Sequence, residues 1–151
     1  MKAQTVFSSP LGMLEITEED GALVSILFVS SSTPPTPPST PLLSKAKKEM
    51  EEYFRGERSS FTLPLSPKGT PFQKKVWEIT STIGYGETKS YGEIAEIMES
   101  KAYRAIGSAL GANPLPIVIP CHRVKAKASI GGYSGGLDKK RILLSLEGIE
   151  D

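Results

Sequence analysis

Along the first thirty residues, apolar and polar positions change over at short range. Val6 and Phe7 precede a Ser9-Pro10-Leu11-Gly12 turn. Met13-Leu14-Glu15-Ile16-Thr17 then partly alternates, and Asp20-Gly21 separates it from the run Ala22-Leu23-Val24-Ser25-Ile26-Leu27-Phe28-Val29. Asp-Gly between two such runs is a hairpin signal, so the pattern predicts a small antiparallel sheet with one buried face. The stretch 33–41 holds Pro34-Pro35-Thr36-Pro37-Pro38, whose four prolines lack backbone donors and favour extended polyproline conformation, and it reads as a surface loop. Leu42, Leu43, Ala46, Met50, Tyr53 and Phe54 return at helical spacing, and Gly56 supplies a stop. That helix is expected to cover the sheet.

A turn-rich connector, Leu63-Pro64-Leu65-Ser66-Pro67-Lys68-Gly69, divides the chain into residues 1–68 and 69–151. Beyond it the period is helical. Phe72, Val76, Ile79 and Ile83 form an apolar stripe behind Pro71, and Gly84-Tyr85-Gly86 breaks it. Ser90-Tyr91-Gly92-Glu93 is a capping box that opens a short helix with Ile94, Ala95, Ile97 and Met98. After a tight turn at Glu99-Ser100-Lys101, a second helix carries Ala102, Ala105, Ile106, Ala109 and Leu110 and ends at Gly111, leaving Tyr103, Arg104, Gly107 and Ser108 outward. Two short helices joined this way, at about 90–111, are a helix-turn-helix. The short β-branched run from Ile117, ending in Pro120, predicts a rigid strand that presents Cys121, Gly131-Gly132-Tyr133-Ser134-Gly135-Gly136 a loop, and residues 137–146 a closing amphipathic helix stopped at Gly148.

Composition adds boundaries. At 151 residues, with 38% hydrophobic and 23% charged positions, the chain has the make-up of an ordinary soluble globular protein. One cysteine rules out an internal disulfide and a thiolate zinc cluster, and fits a reducing interior. The opening Met1-Lys2-Ala3-Gln4 runs straight into polar residues, and no apolar run approaches the eighteen or so needed to span a bilayer, so the expected location is cytoplasmic. The net charge of +1 hides an uneven distribution. Between Lys101 and Arg141, eight basic residues face Asp138 alone, a local excess suited to phosphate contact and to lowering a thiol pKa. In the middle of this stretch stand the only cysteine and the only histidine, adjacent, as Cys121-His122. A thiol beside a base is the minimal kit for a thiolate nucleophile. A small packed cysteine next to a histidine is the alternative that two residues alone leave open.

The longer motif narrows the choice. Asn113-Pro114-Leu115-Pro116-Ile117-Val118-Ile119-Pro120-Cys121-His122-Arg123-Val124, with the helix-turn-helix before it and Gly132-Tyr133-Ser134-Gly135-Gly136 after it, closely resembles the O6-alkylguanine-DNA alkyltransferases. The resemblance is strong from about Gly69 to Gly148 and loose over residues 1–68. It implies an α/β (α+β) fold: a small antiparallel-sheet N-terminal subdomain, then a helical, winged-helix-like DNA-binding and catalytic one. It also implies a single-turnover methyltransferase that takes the alkyl group of O6-alkylguanine, and less efficiently of O4-alkylthymine, irreversibly onto Cys121.

By the same resemblance, His122 deprotonates Cys121 through a water, Glu147 holds His122, and Tyr91 protonates the leaving guanine. Asn113 braces the loop, and Pro116, Val124, Tyr133 and Ser134 surround the base. Arg104 fills the space of the flipped nucleotide, and Tyr103, Ala105 and Ser108 share the DNA-facing side of its helix. The implied partner is double-stranded DNA bound through the minor groove by a monomer, with no cofactor. The structural zinc of some members is not expected, because the one cysteine and one histidine belong to the site.

Two departures are visible: Gly84 stands where the family commonly has Pro, and the Glu99-Ser100-Lys101 turn is about one residue shorter than in some members. Three rival readings are distinguishable. Alkyltransferase-like binding proteins carry Trp in place of the cysteine, a sequence-reading regulator brings a further domain, and a cysteine hydrolase leaves the basic helix-turn-helix unexplained.

Overall fold

The structure, a computed structural model, describes residues 1–126, 131–133 and 135–149. Two compact units divide the chain, Met1–Lys68 and Gly69–Asp151.

In the first unit, strands β1 (Lys2–Ser9), β2 (Gly12–Glu19) and β3 (Ala22–Val29) pair in sequence order as an antiparallel sheet. The β2–β3 turn places both Asp20 (φ 52°) and Gly21 (φ 84°) in the left-handed region, the geometry that an Asp-Gly hairpin tolerates. Helix α1 (Pro41–Phe54) packs on β1 and β2, burying Leu43, Ala46, Met50 and Tyr53 near a core of Leu14, Ile16, Leu23 and Ile26. Its N-cap is Thr40, whose hydroxyl accepts from the Leu43 amide.

Both sheet edges are covered. Thr36, inside the proline run, donates its amide to the Val6 carbonyl at 3.0 Å, and its hydroxyl accepts the Val6 amide at 2.9 Å. On the far edge the Leu23 amide donates to Pro64 O and the Ser66 amide to Leu23 O. The 33–41 stretch is therefore a clasp on an edge strand that would otherwise offer free donors and acceptors to another chain.

The second unit contains helices α2 (Pro71–Thr80), α3 (Tyr91–Ile97), α4 (Tyr103–Gly111) and α5 (Leu137–Leu146), with a two-residue parallel pairing of β4 (Lys89–Ser90) and β5 (Val124–Lys125). Capping boxes start α2 (Thr70 with Gln73) and α3 (Ser90 with Glu93). Helix α2 ends before Ile83, although Ile83 is buried: the Ser81 and Thr82 hydroxyls turn back to Trp77 O and Ile79 O and terminate the turn. Trp77 is the largest side chain in the interior, and its indole donates to Ala109 O at 2.7 Å, joining α2 to α4. On α4, Ile106, Ala109 and Leu110 face inward, whereas Ala102 and Ala105, which the apolar spacing assigns to the stripe, are exposed.

The β-branched run 117–120 is not a strand. Ile117 has φ 76°, Ile119 makes only an isolated bridge to Pro116, Cys121–Arg123 forms one 3₁₀ turn, and pairing with Lys89 and Ser90 begins at Val124. Prolines at 114, 116 and 120 lack the N–H that a ladder needs, which overrides β propensity. The short parallel pairing matters for the site, because its register of Lys89 to Val124 sets Tyr91, at the start of α3, near the segment that follows Cys121.

Candidate active site

Segment 113–120 is held by one side chain. The Asn113 carboxamide accepts the Leu115 amide at 2.9 Å and donates to the Ile119 carbonyl at 2.8 Å and to the Cys121 sulfur at 3.2 Å. A buried amide that satisfies its own loop in this way fixes the thiol's position. It also tolerates the left-handed φ of Ile117, a strained conformation for a β-branched residue. Cys121 is buried. Burial pushes its thiol pKa up, against the Asn113 hydrogen bond and the charge of Lys140, both of which favour the thiolate.

The 3₁₀ turn directs His122 and Arg123 inward to one carboxylate. His122 Nε2 lies 2.7 Å from Glu147 Oε2, both side chains being fully buried. Arg123 donates from Nε to Oε1 at 2.8 Å and from Nη2 to Oε2 at 3.0 Å, and the Gly86 amide donates to Oε1 at 3.1 Å. Nη1 of the same guanidinium donates to Ile83 O at 2.7 Å, and its plane sits over the Tyr85 ring, 5.8 Å from the centroid. A buried carboxylate with a bidentate arginine keeps its charge. His122 Nδ1 is buried with no hydrogen-bond partner among the described residues. Burial lowers the His122 pKa more than Glu147 raises it, so the imidazole is neutral near pH 7, with Nε2–H donated to Glu147 and the Nδ1 lone pair free to accept.

Cys121 also lines a pocket of about 170 Å³ shared with Tyr91, Gly107, Leu110, Gly111, Gly132 and Tyr133. The pocket brings together three of the sequence-derived site residues, Cys121, Tyr91 and Tyr133. Asn113, Pro116 and Val124 are buried and are not among its lining residues. Burial holds the Tyr133 phenol well above the usual range. Ser134 lies outside the described residues. Tyr103, Arg104, Ala105 and Ser108 are exposed together on α4, while Gly107, Leu110 and Gly111 of the same helix border the pocket. One helix thus has a row toward solvent and a row toward the thiol.

Four participants escaped the sequence reading. Arg123 and Gly86 hold Glu147, Tyr85 lies against the Arg123 guanidinium, and Lys140, fully buried, donates from Nζ to Val124 O at 2.7 Å and to Gly132 O at 2.9 Å. Arg123 was visible inside the Cys-His-Arg motif. Lys140 was indistinguishable from its basic neighbours, because nothing local marks a lysine that folds inward. Among the described residues no three His, Cys, Asp or Glu side chains converge on a metal position, and no helix is long and apolar enough to cross a membrane.

A buried thiol on a pocket bordered by the second helix of a helix-turn-helix, backed by a histidine–glutamate pair, defines a protein with a cysteine-centred site. Residues 3–67 match the model of the 6-O-methylguanine DNA methyltransferase ribonuclease-like domain, and residues 71–149 that of the 6-O-methylguanine DNA methyltransferase DNA binding domain. The constitutive methylated-DNA–protein-cysteine methyltransferase of Bacillus subtilis (strain 168) is 44% identical over 161 residues, covering 99% of this chain and 97% of that protein. The crystal structure of Mycobacterium tuberculosis O6-methylguanine methyltransferase matches with a TM-score of 0.87 at 37% identity, over 97% of this chain and 93% of that one. That of Mycobacterium tuberculosis OGT in complex with DNA matches with a TM-score of 0.85 at 39% identity, over 94% and 90%. The chain belongs to the 6-O-methylguanine DNA methyltransferase family.

Proposed function

We propose that this protein repairs DNA by direct reversal, transferring the alkyl group of O6-alkylguanine to Cys121 in a single irreversible turnover, and O4-alkylthymine less well. The observation that carries the reading is the placement of Cys121 on the pocket lining with His122 and Glu147 directly behind it. In the resting site the thiol is protonated and His122 is neutral. The thiol proton passes to His122 Nδ1 through a water, and Glu147 fixes the tautomer that receives it. The thiolate then attacks the alkyl carbon in line. The S–C bond forms as the C–O6 bond breaks, and the electron pair leaves with the guanine. Tyr91, which also lines the pocket, donates a proton to the departing base and is reprotonated from the histidinium. On balance the thiol proton replaces the alkyl group on guanine. A thioether is a poor leaving group, so the protein is consumed.

A guanine inside a duplex cannot reach a buried thiol, so the base must be flipped into the pocket. Arg104, exposed on α4 among the small residues Ala105, Gly107 and Ser108, is suited to fill the gap it leaves, with the helix in the minor groove and Tyr103 against the adjoining backbone. The single unpaired cysteine suits work as a monomer in a reducing cytoplasm. Incubation with duplex DNA bearing O6-methylguanine, read by intact mass, is expected to add one methyl group. Absence of the adduct, or an adduct that persists in Cys121→Ala, would end this reading.

A further inference from the structure

Lys140 is fully buried in the second unit. Lysine is seldom buried unless a carboxylate accompanies it, and here no carboxylate lies within ion-pair distance of Nζ among the described residues. Its two hydrogen bonds go to main-chain carbonyls on different segments: Val124 O, one residue past the Cys121 turn, and Gly132 O, in the loop that borders the pocket. An ammonium between two carbonyls ties those segments together with charge-assisted bonds.

The tied loop also reaches the Tyr91 hydroxyl. The Gly132 amide points to the Tyr91 hydroxyl oxygen at 3.4 Å. Gly131 approaches the same oxygen so closely that a Cβ built there would stand 2.9 Å from Tyr91 Oη and 3.1 Å from the Ala126 amide nitrogen, at a φ of 74°. Only glycine fits this approach. A phenol whose oxygen accepts an N–H is polarised toward donating its own proton, and its hydroxyl hydrogen is turned away from the donor. The contact is long in the resting site, and its geometry depends on where Gly132 is held.

We propose that Lys140 is a positioning residue for the leaving-group side of the reaction: by clamping Gly132 O to Val124 O it holds the Gly132 amide on the Tyr91 oxygen and sets that hydroxyl for proton donation. The inference rests on the reading of Tyr91 as the proton donor. It assigns the buried cation to the phenol rather than to the thiolate, and it makes Gly131 and Lys140 two ends of one device. Burial lowers the Lys140 pKa to about 8, against the pull of a Cys121 thiolate, so the clamp is still charged at neutral pH.

A double-mutant cycle on the full chain tests it, with free O6-benzylguanine as substrate so that DNA binding does not enter, and with the rate of Cys121 benzylation read by intact mass. Tyr91→Phe is expected to slow the reaction about a hundredfold, in the range of general acid catalysis. Lys140→Met keeps the apolar stem and is expected to slow it about tenfold, but to add less than about twofold in the Tyr91→Phe background, because both changes remove the same hydroxyl function. Gly131→Ala, which attacks the contact from the loop, should behave likewise, and it carries the test if Lys140→Met fails to fold by circular dichroism. Independent effects that multiply in the double variants overturn the proposal and assign Lys140 to the thiolate or to general packing. A slow Tyr91→Phe beside an unimpaired Lys140→Met overturns the clamp alone. A Tyr91→Phe protein reacting at the wild-type rate removes Tyr91 from the chemistry and the clamp with it.

Discussion

Replacing Glu147 by Gln separates the two duties of that side chain. The carboxylate receives Arg123 Nε and the Gly86 amide on Oε1, and Arg123 Nη2 and His122 Nε2 on Oε2. Glutamine preserves the shape and the Oε1 acceptor, but sets an NH2 group against Arg123 Nη2 and leaves a guanidinium with 8% side-chain exposure without its counter-ion. Breaking a buried pair by removing one partner costs about 3–5 kcal/mol. Against a domain stability of about 5–15 kcal/mol, the variant remains folded at 25 °C. At about 2–4 °C per kcal/mol for a chain of this size, its melting temperature should fall by about 6–20 °C.

The chemical effect has a different origin. A carboxamide N–H can face His122 only if Nε2 is the acceptor, so the imidazole proton moves to Nδ1 and the free lone pair is lost from the position that accepts the thiol proton. A misplaced tautomer of this kind removes the base, a loss of about 10²–10⁴ in rate. Stopped single-turnover reactions with O6-benzylguanine at 20 °C, in protein shown to be folded by circular dichroism, give the rate free of the stability change. If Glu147→Gln is destabilised as expected yet benzylates within about threefold of wild type, Glu147 is only a counter-ion to Arg123, and His122 is not the base.

Three further outcomes follow from other parts of the molecule. His122 has its pKa lowered by burial below 6.5, so as pH falls through 6.5 the unfolded chain binds a proton that the folded one refuses; stability should be lost toward acid by up to about 1.4 kcal/mol per pH unit from this group, and urea midpoints at pH 7.5 and 5.5 should differ less in His122→Gln than in wild type. Arg104→Ala should repair O6-methylguanine in duplex DNA much more slowly, by about tenfold or more given an unstacking cost of a few kcal/mol, while reacting normally with free O6-benzylguanine; equal losses on both substrates would remove the flipping role. Trp77→Ala deletes the buried indole and its bond to Ala109 O, and should cost about 3–5 kcal/mol in chemical denaturation, a smaller loss showing that the joint between α2 and α4 is not central to the fold.

Much of this was legible before any coordinates, and what was not has a common cause. The Asp20-Gly21 hairpin, the Ser90 and Glu93 capping box and the buried parts of the apolar stripes depend on residues within a few positions of each other, and the structure contains them, although Ala102, Ala105 and Ile97 of those stripes are exposed. The Cys121-His122 pair was equally readable, since its chemistry is in the residue types. The strand expected over 117–120 failed because Ile117 takes a left-handed φ and Pro120 lacks a ladder donor, which local β propensity does not foresee. The Thr36 clasp, the Arg123–Glu147 pair and the Lys140 clamp join residues 30, 24 and 16 positions apart, and no local period marks any of them. A basic run in which one lysine turns inward looks the same in sequence as a solvated basic surface.

The charges around Cys121 explain why the thiol rests unreactive and is still competent. Glu147 is matched by Arg123 and not by a protonated His122, so the base is neutral and available, and burial keeps the thiol protonated until a proton can be passed on. Separating the thiolate and histidinium charges in a dry site is costly, and the Asn113 N–H on the sulfur lessens that cost. The thiolate is therefore favoured only once the pocket is filled by a base that consumes it. The end products, a thioether and a neutral guanine, leave no new buried charge, so nothing electrostatic drives the reverse step. What they leave is volume. An alkyl group added to a sulfur that already touches Asn113 overfills a packed segment, at a cost of about 1–3 kcal/mol for even a small group. The first contact to yield should be the Asn113 bond that braces segment 113–120, so the spent protein is expected to loosen there, next to α4, the helix that carries Arg104. Hydrogen exchange of the Leu115 and Ile119 amides, both bonded in the resting protein, reads this directly: faster exchange after methylation supports it, and unchanged exchange refutes it.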